Sequence, residues 1–231
     1  NVTFSPDEKH LFITHLNRAQ NCALLIRYNL KTCQKEKILI EEKDNRYVEP
    51  KTRPYFLTQY PFFVWQSDRD GWNHLYLYTY EGKLITQLTK GSWQVTELYG
   101  MDSKEENIFF ASTNPSPIGN YIYSMSLKSK KIKPIAINEG THYPIFSDDK
   151  SFCIDYFSNL ETPRTISLIN LKDGKTKTLL NAENPYKSSN LGESKIFTIK
   201  NNNGDDLYCR ITYPPLFDPN KKYPVFMYIY G

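Results

Sequence analysis

A unit of four short strand patterns recurs along this chain, and no other feature limits its fold so sharply. Tyr55, Val95 and Tyr143 open successive units at spacings of 40 and 48 residues. Before them, Leu11–Leu16, Ala23–Tyr28 and Lys37–Ile40 read as strands of a first unit, with Asn29–Thr32 as a turn. In the second unit, Phe62–Gln66, His74–Tyr78 and Leu84–Leu88 alternate around the turns Ser67–Gly71 and Glu81–Gly82. The third offers Asn107–Ala111, Tyr121–Met125 and Ile132–Ile135, and the fourth Phe152–Tyr156, Thr165–Ile169 and Thr176–Leu180. Helical periodicity is nearly absent. A repeat of this length built from strands predicts propeller blades, small twisted sheets that bury both faces only against their neighbours.

A second signal separates a propeller from a sandwich. Phe4-Ser5-Pro6-Asp7-Glu8-Lys9 and Phe146-Ser147-Asp148-Asp149-Lys150 are variants of one phrase at one place in the unit. A β-sandwich also supplies many short strands, but it gives no reason for such a phrase to recur. Three or four blades alone leave two apolar flanks. The expectation is therefore a larger intact protein, or association of two copies as a homodimer.

Beyond residue 184 the rhythm changes. Asn184-Pro185 and Ser188-Ser189-Asn190 mark a linker over 185–194. Lys195–Ile199 and Leu207–Tyr213 then read as two strands around Asn203-Gly204-Asp205. The almost wholly apolar run from Tyr223 to Tyr230 fits a central strand covered on both faces. The domain reading is thus blades over 1–184, a linker over 185–194, and the opening strands of a different domain over 195–231.

Composition narrows the function classes. A net charge of +4 from 29 basic and 25 acidic residues is a weak imbalance. Its densest basic stretch, Lys128–Lys133, fits a solvated hairpin tip and lacks the single-face clustering of a nucleic-acid groove. No run of apolar residues is long enough for a membrane-spanning helix. Asn1–Asp7 lacks the basic and apolar regions of a signal peptide, and both ends read as cuts within a longer chain. Cys22, Cys33, Cys153 and Cys209 each stand alone. No C-x-x-C pair or companion His suggests a metal, and a tight hairpin would hold Cys22 and Cys33 out of register for a disulfide.

Other candidates for chemistry have simpler explanations. His74, beside Asp68 and Asp70, reads as a hydrogen-bonded structural histidine. Arg69 is expected to lock its turn through charge-assisted bonds to the two aspartates. Asp148-Asp149 reads as a hairpin turn, and Asn203–Asp206 lacks the alternate ligands of a calcium loop. His10, His15 and His142 carry no motif. No phosphate-cradling glycine loop is present, and no cofactor or metal is expected.

Three phrases in order carry a resemblance. They are Ser67-Asp68-Arg69-Asp70-Gly71-Trp72-Asn73-His74-Leu75-Tyr76-Leu77-Tyr78, then Leu88-Thr89-Lys90-Gly91-Ser92-Trp93-Gln94-Val95-Thr96, then Pro215–Val225 followed by Tyr228-Ile229-Tyr230-Gly231. Together they resemble the dipeptidyl peptidase IV branch of the prolyl oligopeptidase family of serine peptidases. The resemblance implies a mainly β chain, a partial β-propeller of about three to four blades followed by the opening strands of an α/β-hydrolase domain. It implies a parent enzyme that removes N-terminal dipeptides with Pro or Ala second, using a Ser, a His and an Asp. No G-x-S-x-G occurs here, so the chain itself is expected to be inactive. The implied partners are peptide substrates, the remaining hydrolase domain and earlier blades, and the implied location is periplasmic or secreted.

The same resemblance points to site residues. Tyr230 matches the tyrosine whose hydroxyl helps form the oxyanion hole, a suitable neutral donor. The segment from Tyr47 to Arg53 falls where relatives place a loop lining the substrate cavity, making Glu49 and Arg53 candidate peptide contacts against the alternative of a solvated loop. Two rivals remain open at this point. One is a stand-alone propeller that binds a protein or glycan. The other is a different family member, an oligopeptidase or acylaminoacyl-peptidase.

Overall fold

The computed structural model describes residues 1–229 and contains strands but no helix among them. Four antiparallel sheets of four strands follow one another. Blade 1 holds β1 (Val2–Phe4), β2 (His10–Leu16), β3 (Cys22–Asn29) and β4 (Lys35–Lys43). Blade 2 holds β5 (Tyr55–Phe56), β6 (Phe62–Ser67), β7 (His74–Thr79) and β8 (Leu84–Gln87). Blade 3 holds β9 (Val95–Met101), β10 (Asn107–Ser112), β11 (Tyr121–Ser126) and β12 (Ile132–Ala136). Blade 4 holds β13 (Thr141–Phe146), β14 (Phe152–Ser158), β15 (Thr165–Asn170) and β16 (Thr176–Asn181). In every blade the strands pair in chain order, which makes each blade a meander. The chain is a partial β-propeller of four blades.

Strand alternation explains where the core lies. Along β6, Phe63 and Trp65 join a core with Phe12, Leu25, Leu39 and Ile40 of blade 1. Val64, between them, points the other way and joins Ile108, Phe110, Tyr121 and Met125 of blade 3. β7 divides in the same manner, with Tyr76 and Tyr78 facing blade 1 and Leu75 and Leu77 facing blade 3. Ile122 and Ala136 of blade 3 meet Cys153 and Ile169 of blade 4 in a third, smaller core. Neighbouring residues on a strand must point to opposite faces, so both faces of a middle blade are apolar. Among the described residues blades 1 and 4 each pack against one neighbouring blade, and Val2, Phe4, Tyr143 and Ile145 are exposed.

Two turns, each reused, close blades 1, 3 and 4. Between the first two strands of blades 1, 3 and 4, Glu8, Glu105 and Lys150 take left-handed backbone angles of +54°, +54° and +55°. Ser5 and Ser147 bond the following strand through Oγ, and Asp102 does so through its carboxylate. Between the last two strands, Asn29–Cys33, Ser126–Lys130 and Asn170–Gly174 close in a like way, each ending on a positive φ. The two turns interlock: Leu30, Leu127 and Leu171 donate backbone N–H bonds to the carbonyls of Lys9, Glu106 and Ser151. Blade 2 makes the matching bond from Tyr80 to Pro61.

After blade 4, β17 (Ser194–Lys200) and β18 (Asp206–Thr212) form a separate hairpin around Asn201–Asp205. Its side chains are largely exposed. Of the run Tyr223 to Tyr230, expected as a covered strand, the described part, Tyr223–Ile229, joins no sheet, and Val225 to Ile229 are exposed. The reason is plain. A central strand needs a sheet partner on each side, and no described strand pairs with this segment.

Candidate functional site

Where blade 1 hands over to blade 2, the chain leaves β4 and crosses residues 44–54 before entering β5. This loop is anchored rather than loose. Val48 is buried and donates its N–H to the carbonyl of Gln20 at 2.6 Å, and Asp44 does the same to Asn21 at 3.2 Å. Across from it stands the turn from β6 to β7, closed by the N–H of Gly71 bonding the carbonyl of Asp68. Gly71 sits at φ +93°, which suits a residue without Cβ. Between loop and turn lies a cleft of about 510 Å³. Glu41, Glu42, Asp44, Arg46, Tyr47 and Val48 line one wall, and Ser67, Asp68, Arg69 and Gly71 the other.

Arg69 ties the two walls together. Its Nη2 donates to Glu42 Oε1 at 2.6 Å, its Nη1 to the Tyr78 hydroxyl at 2.6 Å, and its Nε to Ser67 Oγ at 2.9 Å. The guanidinium lies 4.6 Å from the centre of the Tyr76 ring, a cation–π arrangement. Burial alone would lower the pKa of Arg69, but Tyr78 and Glu42 outweigh it and hold it raised. Glu42 Oε1 also accepts from Trp65 Nε1 at 3.2 Å. The tyrosines are pushed up, Tyr76 by burial and then by Asp70, and Tyr78 by burial, so both stay neutral, and the Tyr78 hydroxyl accepts from Arg69.

The expected bond between Arg69 and its flanking aspartates is not made. Asp70 accepts instead from Gln87 Nε2 at 2.7 Å, and Arg69 reaches back to blade 1. The reason is geometric: adjacent side chains in a tight turn diverge, while the long arginine stem reaches the neighbouring blade. Glu42 was missed by sequence reasoning because its role depends on a contact 27 residues away. His74 is a structural histidine as expected. It is fully buried, with Nδ1 3.0 Å from Thr89 Oγ1, Nε2 3.0 Å from the Gly91 carbonyl, and Trp93 edge-on.

The structure places the candidate site residues unevenly. Tyr47 reaches the cleft and is exposed there. Glu49 is exposed further along the loop and pairs with Lys51, and Arg53 is exposed beside buried Pro54. Tyr230 lies outside the described residues. The four cysteines are free thiols, with Cys33 exposed at a left-handed turn position.

Over residues 1–164 the sequence matches the family model of the dipeptidyl peptidase IV (DPP IV) N-terminal region. The chain belongs to that family. It is 30% identical over 227 residues to a dipeptidyl peptidase 4 of Arthroderma otae, covering 93% of this chain and 29% of that protein. It is 32% identical over 177 residues to the dipeptidyl peptidase 4 of Trichophyton rubrum. A structure described as a dipeptidyl aminopeptidase IV from Bacteroides ovatus superposes on this DPP IV chain with a TM-score of 0.89 at 33% identity, covering 97% of this chain and 35% of that one. The Porphyromonas gingivalis dipeptidyl peptidase 4 gives 0.87 at 28% identity, over 96% and 32%. The chain thus spans between about a quarter and about a third of these relatives' length. No helix among the described residues is long and apolar enough to cross a membrane.

Proposed function

We propose that this chain is the late-propeller portion of a serine exopeptidase that releases N-terminal dipeptides with Pro or Ala in second position. In this reading the blades are not catalytic. They narrow the approach to a hydrolase site so that only short peptides or free N-termini reach the nucleophile. Residues 1–184 supply the blades, 185–194 the linker, and 195–231 the start of the hydrolase domain. One observation carries the reading: the superposition on dipeptidyl peptidase structures covers 97% of the chain, hairpin after the blades included.

The chemistry asks little of this chain. A serine on a strained elbow, a histidine base and an orienting aspartate form and break the acyl bond, and no elbow motif is found in the 231 residues. Tyr230 is the residue here assigned to the reacting centre. Its phenol donates a hydrogen bond where negative charge develops on the scissile oxygen. The loop 44–53, with Glu49 and Arg53, lines the cavity that receives the peptide.

The intact protein should cleave Gly-Pro- or Ala-Pro-p-nitroanilide, and a serine-directed phosphonate should abolish turnover. The 231-residue chain should release no p-nitroaniline. Turnover by this chain alone, blocked by the phosphonate, would overturn the reading. Tyr230→Phe should lower kcat by roughly 10²-fold, as loss of one oxyanion donor does. The accompanying expectation of a periplasmic or secreted location is checked by fractionating cells that make the intact protein.

A further inference from the structure

The cleft wall formed by loop 44–53 is held at both ends by blade 2. At its root, Glu42 is the penultimate residue of β4, two residues before the loop begins, and Arg69 grips it at 2.6 Å. Near its far end, Thr52 Oγ1 accepts from Gln66 Nε2 at 3.2 Å, and Gln66 is itself held by Asn73, whose Nδ2 donates to Gln66 Oε1 at 3.1 Å. Asn73 in turn donates to the Val95 carbonyl at 2.6 Å, so the chain of bonds runs on into blade 3. The grip of Arg69 is the stronger. Its carboxylate partner is nearly buried, its three nitrogens reach three different side chains, and its flat face lies on Tyr76. Every group that orients it belongs to blade 2, whereas what it holds belongs to blade 1.

We infer that Arg69 is a positioning residue that sets loop 44–53 in place over the cleft, acting through Glu42, and so sets how well the cleft receives a peptide. The guanidinium is not assigned as the anchor for a substrate carboxylate: three of its five N–H donors are directed at Ser67, Tyr78 and Glu42, and Glu42 already meets its charge. A lysine there keeps the charge, but its three N–H donors leave a single nitrogen and do not span the three groups as the planar fork does. The effect on peptide binding rests on the reading under Proposed function; the effect on the loop does not.

The test uses the intact protein carrying Arg69→Lys, and separately Glu42→Gln, which keeps an amide oxygen for Trp65 Nε1 and removes the charge. Amide hydrogen exchange is followed by mass spectrometry on peptides covering 44–53, β6 and β7. Exchange in 44–53 should become about tenfold faster in both variants, with β6 and β7 unchanged, since losing one of its anchors lets the loop open locally. The double variant should go no further than either single one, because both break the same link. Unchanged exchange in 44–53 in both variants overturns the inference. So does equal acceleration across β6 and β7, which would mean that Arg69 merely supports its own blade. With Gly-Pro-p-nitroanilide, KM should rise about fivefold to tenfold while kcat stays within twofold. Faster loop exchange with KM unmoved leaves the positioning role standing and sinks the substrate-facing role of the loop.

Discussion

Glu105 shows how one side chain can join two blades. It sits at the left-handed position of the first turn of blade 3 and is buried, yet its carboxylate leaves that blade. Oε1 accepts from the Thr58 N–H at 2.5 Å and its hydroxyl at 2.7 Å, and Oε2 from the Gln59 N–H at 2.9 Å. Glu105→Ala strands these donors of blade 2, while water reaches them in part because Thr58 and Gln59 are exposed. The expected cost is about 1–3 kcal/mol in urea unfolding, with Glu105→Gln losing less. The thiols differ as sharply. Burial, and then the charge of Asp155, push the Cys153 thiol up to about 12. A disulfide reagent at pH 8 should therefore modify exposed Cys33 and leave Cys153 untouched until the chain unfolds.

At the scale of the element, the serine–aspartate turn carries its own pH signature. In blade 4, Asp149 accepts from the hydroxyls of Ser147 and Ser151, both at 2.8 Å, and from the Ser151 N–H at 3.0 Å. These bonds favour the carboxylate and lower its pKa to about 2; Asp7 in blade 1 is lowered in the same way by Ser5. A depressed folded value means that the turn's contribution is whole above the ordinary aspartate range. It is lost as pH falls from about 4 toward about 2. Ser147→Ala should move the Asp149 titration upward in NMR, whereas an unmoved midpoint would mean that the serine does not set it. This turn was legible in the sequence because serine and aspartate bond locally, and a local bond leaves a local phrase. The partner turn left a phrase as well, Asn29-Leu30-Lys31, Ser126-Leu127-Lys128 and Asn170-Leu171-Lys172, although its leucine is explained only by the bond to the other turn. The opening strands β1, β5, β9 and β13 were the hardest to read. β5 has two residues and β9 is broken by two register shifts, so neither shows a clean alternation. Contacts distant in sequence were illegible, among them Glu42 with Arg69 and His142 with Asp155 at 2.7 Å.

At the scale of the whole molecule, each core among the described residues lies between two blades, which fits a fold whose repeats are stable only as neighbours. Phe63 and Val64 are adjacent on β6 and belong to different cores, while Phe63 and Phe12 sit on different blades with ring centres 6.4 Å apart. Phe63→Ala should cost about 3–5 kcal/mol on its own. In double-mutant cycles, Phe63 and Phe12 should couple by about 0.5 kcal/mol or more, while Phe63 and Val64 should come close to additive. The reverse ranking would mean that each sheet is the energetic unit. If the expected ranking holds, proximity along the chain says little about which substitutions aggravate one another. Compensating changes would then be found by stepping 51 positions, from Phe12 to Phe63, sooner than by moving one residue along the strand.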